Sequence, residues 1–484
     1  MRNFSSKPLP YDRGSSIAPA GRGSKRYLAF LLGCVLSIST VNAQRPADAI
    51  WSARWVVTQD PARRVIENGA VAIQGDHIAA VGTRVEIDRT FRPKTRLDRP
   101  DAILSPGLIN THTHAAMSLF RGVADDLALQ EWLEKHIFPA EAKNVDREFV
   151  RWGTRLACIE MALSGTTTFT DMYYFEDTVA EVTKECGLRG MLGQSVIGFP
   201  APDFKTPAEA LAGTEKFLQA YFNDPLIIPA VAPHAIYTNS DETLRAARAL
   251  ADKYRKPLVI HLDETKTEHE DSLKSRGKTP TAALEALGVL TGWTVGAHGV
   301  WLDDNDLAIL RRRNTGLAHN PSSNMKLSSG VARVGRILEL GIAMGLGTDG
   351  VAGSNNDHDM FEEMDLAAKL QKVTTGNPQA LPAQQAFAMA TDIGARALGM
   401  EQMIGSLETG KRADLIMVRI SAPHAVPMYN VYSQLVYALK GSDVTDVMVN
   451  GRAVVRDRRM LTINPGPVLT KAAEYGVKIS KSLQ

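Results

Sequence analysis

The sequence predicts an α/β fold: a (β/α)₈ TIM barrel with a small β-sandwich domain built from both chain ends. Three observations predict it. The chain has 484 residues, more than the ~250 of a plain α/β barrel, so one barrel plus a smaller unit fits. Its middle alternates short apolar runs with helical patterns, as parallel strands joined by helices do. Its two ends share a different texture, short β-branched segments broken by Gly, Asp and Pro. A hydrophobic fraction of 44% and a charged fraction of 22% are those of an ordinary globular protein.

Residues 1–26 are rich in Gly, Ser, Pro and basic side chains and end in Lys25-Arg26, directly before an apolar run from Tyr27 to Val41. Val41-Asn42-Ala43 then supplies small residues at the positions a signal peptidase reads. The run is shorter than the ~20 residues a membrane-spanning helix needs. We read 1–43 as a signal peptide cut near Ala43, giving a periplasmic or secreted protein with no stable membrane insertion after cleavage. An uncleaved membrane anchor is the alternative. Of the three cysteines, Cys34 lies in this leader, and Cys158 and Cys186 stand apart without CxxC spacing, so neither a disulfide framework nor cysteine metal ligands are expected.

Residues 44–105 read as strands (WSARWVVTQ, GAVAIQGDHIAAVG, TRLDRPDAILSPG), and 401–465 read alike (GSLETGKRADLIMVRI, VTDVMVNGRAVVRDRRML). The shared texture predicts that they pair as the two parts of the sandwich, leaving 466–484 as a C-terminal tail. Between them, 106–400 form the barrel. Its eight strand candidates are 104–114, 166–173, 190–197, 226–236, 257–264, 294–300, 315–320 and 342–349. Nearly all are continuously apolar, as strands covered on both faces must be. Phe149, Gly153, Leu156, Ile159 and Leu163 form one stripe of a helix over 147–164 that Gly165 stops. Ser240 caps a helix running to Lys256, which Pro257 ends.

Reactive residues of such barrels sit at the C-terminal strand ends. The first strand ends in His112-Thr113-His114, the fifth in His261-Leu262-Asp263-Glu264, the sixth in Ala297-His298-Gly299 and the eighth in Thr348-Asp349-Gly350. Side chains two apart on a strand point the same way, so both imidazoles of the first strand can face one ion. With 11 histidines in the chain, chance gives roughly 0.25 such HxH pairs, a weak signal alone. Ligand-type residues at four strand ends are harder to dismiss, and an aspartate after an apolar run is costly to bury unless paired or metal-bound.

Three imidazoles (His112, His114, His261) and the carboxylate of Asp349 suit one divalent metal, Zn²⁺, with Fe²⁺ or Mn²⁺ as alternatives. Such an ion lowers the pKa of a bound water to near ~7. Asp349 can take the water's proton, Glu264 on the following loop can act as general acid–base, and His298 can orient the attacking oxygen. Met360, Phe361 and Met364 read as packing; Asp303, Asp304 and Asp306 as a solvated helix start; His77, His136, His269 and His424 as surface residues. No role is derived for His319 or His358.

The stretches PGLINTHTHAAMSLFRGVADDLALQEWLEKHIFPAE (106–141), VAPHAIYTNS (231–240), HLDETKTE (261–268), AHGVWL (297–302), AHNPSSNMKLSSG (318–330), GLGTDGVAGSNNDHDMFEEM (345–364) and GKRADL (410–415) resemble the amidohydrolase superfamily. Within it they look like the 5-methylthioadenosine/S-adenosylhomocysteine deaminase group, a branch that includes triazine hydrolases. The resemblance implies the same metal ligands and the same roles for Glu264 and His298. It adds Glu141 as a ribose contact and His234 as a purine contact. Where some members carry a substrate-binding arginine after the third strand, Gln194 stands here, and Lys205 is the nearest cation. Binuclear members take a carboxylated lysine from the fourth strand; 226–238 contain none, which implies a single metal.

The expected function is hydrolytic deamination of a purine-type or related amino-heterocycle, such as 5-methylthioadenosine or S-adenosylhomocysteine, releasing ammonia. One rival is hydrolysis of a triazine, cyclic amidine or amide on the same scaffold; another is a non-catalytic, metal-stabilised binding protein. The expected partner is a small heterocyclic substrate. A net charge of +2 gives no reason to expect nucleic acid, and a homo-oligomer stays open.

Overall fold

The computed structural model describes residues 44–483; the expected signal peptide lies outside the described residues. Eight parallel strands follow one another in chain order: Leu108–Thr113, Thr166–Tyr173, Arg189–Val196, Ile227–Pro233, Leu258–Leu262, Thr294–His298, Gly316–His319 and Met344–Leu346. Each overlaps its expected segment. The first and eighth strands meet through side chains as well as backbone. Asp349 N–H donates to the His112 carbonyl at 2.9 Å, Thr111 Oγ1 to the Leu346 carbonyl at 2.8 Å, and Asn110 Nδ2 to Thr348 Oγ1 at 2.8 Å. These bonds bring the two ends of the sheet together and lock His112 against Asp349.

Ile109, Met172, Met191, Ala230, Ala232, Val259 and Val295 pack into one apolar cluster that Ala395, Leu398, Met400 and Ile404 complete. A Cβ on Gly316 would fall 1.8 Å from the Ala397 carbonyl oxygen, so this close approach of the helix Asp392–Ala397 requires glycine there. Outside the strands, the expected stripe is real: helix Arg147–Leu163 buries Phe149, Gly153 and Ile159, with Asp146 capping its start. Ser240 caps Asp241–Tyr254, which buries Leu244, Ala247 and Ala251.

Both chain ends meet, as expected, in one mixed sheet of eight strands. Phe91–Pro106 lies at its centre, parallel to Arg45–Val57 on one side and antiparallel to Leu415–Arg419 on the other. The GKRADL segment joins this sheet to the barrel. Asp414 accepts from Arg189 Nε at 3.0 Å, with both side chains buried, and from Asn450 N–H at 2.6 Å. Removing one partner of such a buried pair costs ~3–5 kcal/mol, which accounts for a charged pair at this junction. Residues expected as a tail form a helix, Pro465–Ser482, whose Val468, Tyr475 and Ile479 are buried; Tyr475 packs edge-on against Phe149 at 5.7 Å. Among the described residues, no helix is long and apolar enough to cross a membrane.

Candidate metal centre and active site

The first strand delivers His112 and His114 to the barrel mouth from one face, and the fifth and eighth strands deliver His261 and Asp349. Ligand atoms of His112, His114 and His261 lie within 4.8 Å of one another, as do those of His112, His298 and Asp349. Asp349 Oδ1 stands 3.3 Å from both His112 Nε2 and His114 Nε2, and His261 Nε2 stands 3.4 Å from His114 Nε2.

The outer contacts set the tautomers. His114 Nδ1 faces the Met172 carbonyl at 2.7 Å and His261 Nδ1 faces the His234 carbonyl at 2.7 Å. A nitrogen against a carbonyl carries a ring proton, so Nε2 is the nitrogen each ring leaves to face the cluster. Among the described residues, Nε2 of the fully buried His112 has no hydrogen-bond partner, which suits a metal ligand and is costly otherwise; its Nδ1 lacks the carbonyl partner that His114 and His261 have. Ser323 Oγ donates to Asp349 Oδ2 at 2.6 Å, and Gly350 N–H to Oδ1 at 2.7 Å. Three imidazoles and one carboxylate in this arrangement fit a single Zn²⁺-type cation.

Charge follows the same geometry. Burial opposes ionisation of Asp349, yet contacts with His112 and His114 hold it well below the usual carboxylate range. Burial likewise works against a charged His114, but Asp349 outweighs it and the ring is held at about 9. His112 is pushed down to about 4 by burial. Asp349 is thus the group that draws positive charge, while burial also holds His261 and His298 below the usual imidazole range. Two of the site residues hold left-handed backbone: His298 has φ +75° and Asp349 +62°. Such conformations cost ~1–3 kcal/mol each and gather at functional sites.

The cavity above the cluster is lined by His114, Glu141, His234, His261, Glu264, His298 and Asp349 among polar residues, with Met117, Leu129, Trp132, Leu133, Phe138, Met172 and Tyr237 among the apolar ones. Glu264 is buried, and desolvation pushes its carboxyl up to about 8; the group is mostly protonated at neutral pH. Its Oε2 stands 3.8 Å from His298 Nε2. His298 is oriented from behind by Asn324 Oδ1, 3.0 Å from Nδ1. Glu141 accepts from the hydroxyls of Tyr173 (2.7 Å) and Tyr174 (3.2 Å), and burial pushes it up to about 7. His234 is driven down to about 3 by burial and by neighbouring histidines, so it meets a ligand as a neutral ring.

One expected contact is corrected. Gln194 does not line this cavity. It faces a separate one with Lys205, its Oε1 accepting from Glu176 N–H at 3.2 Å and its Nε2 donating to Asp203 at 2.8 Å. Strand alternation explains it: the next residue, Ser195, is the one that lines the cavity. Two other expectations also change. His269 is partly buried, with Nδ1 2.8 Å from Asp263, and Asp306 is fully buried, accepting from Thr279 at 2.5 Å. His358 lies behind the site between Ser118 and Thr348. His319 is fully buried near Asn324. Sequence reasoning missed Tyr173 and Tyr174, which hold Glu141, and Ser323, which holds Asp349. Only their positions at a strand end and within the AHNPSSNMKLSSG stretch could have signalled them.

The barrel and this centre define the class. The amidohydrolase family matches residues 103–454, and the chain belongs to that family. Among its relatives, a protein of Syntrophus aciditrophicus named 5-methylthioadenosine/S-adenosylhomocysteine deaminase 1 is 47% identical over 429 residues, covering 89% of this chain and 97% of that protein. A 5′-deoxyadenosine deaminase of Methanosarcina acetivorans is 43% identical over 428 residues, covering 88% and 97%. The crystal structure of an adenosine deaminase from Xanthomonas campestris with bound zinc superposes with a TM-score of 0.89 at 38% identity, covering 90% of this chain and all of that one.

Proposed function

We propose that the protein is a zinc-dependent hydrolytic deaminase of adenosine derivatives altered at the 5′ carbon, releasing ammonia and leaving the inosine counterpart. The observation that carries this reading is the meeting, in one cavity, of the donor cluster with the buried carboxyl of Glu264. The names and zinc content of the relatives support it.

His112, His114, His261 and Asp349 hold the ion. When bound, it acts as a Lewis acid that makes a coordinated water acidic at neutral pH. Asp349, already drawing positive charge, accepts that water's proton. Glu264 gives its proton to the ring nitrogen beside the amino-bearing carbon, so that carbon can accept the oxygen. His298, fixed by Asn324, directs the attack. The carbon becomes tetrahedral, its bond to the amino nitrogen breaks as that nitrogen takes the proton Asp349 removed from the water, and ammonia leaves while the proton of the added hydroxyl returns to Glu264. Glu141, steadied by two tyrosines, accepts from the ribose hydroxyls, and neutral His234 meets the purine. Removal of water from the cavity by Trp132, Phe138 and Tyr237 strengthens each of these contacts.

The test is ammonia release from 5′-methylthioadenosine, 5′-deoxyadenosine and adenosine by zinc-loaded protein. Turnover of at least one supports the reading, and turnover of none overturns it. We also propose export: N-terminal sequencing of protein from the producing cell should begin at Gln44, and an intact Met1 start would contradict cleavage.

A further inference from the structure

A second space, a groove of about 870 Å³, opens beside the catalytic cavity. Leu129, Leu133, Phe138 and Tyr237 line both, so a substrate whose ring fills the cavity can extend whatever it carries at its far end into the groove. Phe138 and Phe199, 5.1 Å apart and edge-on, form an aromatic wall there.

Four charged residues line the groove: Glu134, Glu268, Asp271 and Arg276. The one cation among them is engaged, with Arg276 Nη1 2.5 Å from Asp241. Lys135 and Lys266, on the same helices, are turned to Glu131 and Glu270, and Lys274, also on the second helix, is not among the residues that line the groove. Glu134 and Asp271 are exposed and have no ion-pair partner among the described residues. Glu268 is 4% exposed; its Oε2 accepts from Glu264 N–H at 2.7 Å, and its Oε1 has no partner. Burial and the neighbouring Asp263 push the Glu268 carboxyl well above the usual carboxylate range, and an unpartnered buried carboxyl in a groove wall points to a polar ligand group that bonds with it. The cations that might have clamped a carboxylate lie elsewhere: Lys205 faces the cavity of Gln194 and its Nζ donates to the Ala201 carbonyl at 2.7 Å.

We infer that this groove receives the 5′ substituent of the substrate and selects an uncharged or cationic one, a thioether or an aminoalkyl chain, over one ending in a carboxylate. The inference rests on the adenosine reading above and narrows it. A carboxylate here meets two free anions and no free cation. Each like-charge contact at ion-pair distance in water weakens binding about fivefold, whereas an ammonium gains by a similar factor beside Glu134 and Asp271.

The experiment compares kcat/KM of the metal-loaded protein on 5′-deoxyadenosine, 5′-methylthioadenosine, S-adenosylhomocysteine and decarboxylated S-adenosylhomocysteine. The last keeps the amine and lacks the carboxylate. The decarboxylated compound should exceed S-adenosylhomocysteine by at least about fivefold. In the double variant Glu134→Lys, Asp271→Lys, that ratio should fall by at least about tenfold, with 5′-deoxyadenosine, too short to enter the groove, as the reference. A ratio at or below one in the unmodified protein, or one that the double variant leaves unmoved, overturns the inference while the adenosine reading stands. Turnover of none of the four compounds overturns both.

Discussion

At the floor of the cavity four polar side chains are each fixed by another group: His114 by the Met172 carbonyl, His261 by the His234 carbonyl, Asp349 by Ser323, His298 by Asn324. At the mouth, Leu129, Leu133, Phe138 and Tyr237 give apolar walls, and beyond them Glu134 and Asp271 stand without partners. The floor is preorganised for one ion and one set of proton transfers, so it tolerates little change. The mouth holds few fixed polar groups, so its charge can differ between relatives without disturbing the chemistry. Reaction type therefore follows from the floor, and substrate choice follows from the mouth.

Variants can break or sharpen this contrast. The largest effect falls on the proton carrier: Glu264→Gln keeps the shape and should lower kcat by about 10²–10⁴-fold while bound zinc, measured by elemental analysis, is unchanged. A variant with near-normal kcat would remove Glu264 from the reaction. A smaller effect is expected behind the ligands. Ser323→Ala takes the hydroxyl from Asp349 and should weaken zinc affinity by about 10–100-fold in a chelator competition titration; unchanged affinity would mean that the floor does not depend on this contact. The smallest is expected at Gln194, which faces away from the cavity. Gln194→Ala leaves the Glu176 N–H and Asp203 without this partner, which costs stability by about 1–3 kcal/mol, but kcat/KM of the folded protein should stay near that of the original, and a large loss in steady-state kinetics would place this residue in substrate binding after all.

The floor was legible in the sequence because its signals are local. His112-Thr113-His114 declares a shared direction through strand alternation, and Asp349 stands out as a charge after an apolar run. The eight strands were legible for a related reason, since continuous apolar runs between helical stripes admit few other readings. Gln194 was misplaced because choosing between it and Ser195 depends on strand parity, which a run of buried residues does not reveal. Tyr173 and Tyr174 were missed because their partner, Glu141, lies on a different element and the pairing exists only in space. The groove was illegible altogether: Glu134 comes from one helix and Asp271 and Arg276 from another far along the chain, and the pairing of Arg276 with Asp241 decides its charge.

The most direct test of the account is the zinc content of purified protein and of its His261→Ala variant, counted per chain by elemental analysis and read beside activity. The account predicts one zinc per chain in the native protein, and in the variant a loss of both the ion and ammonia release. A variant that keeps a full zinc and full activity, or a native protein that works undiminished after exhaustive chelation, would contradict it.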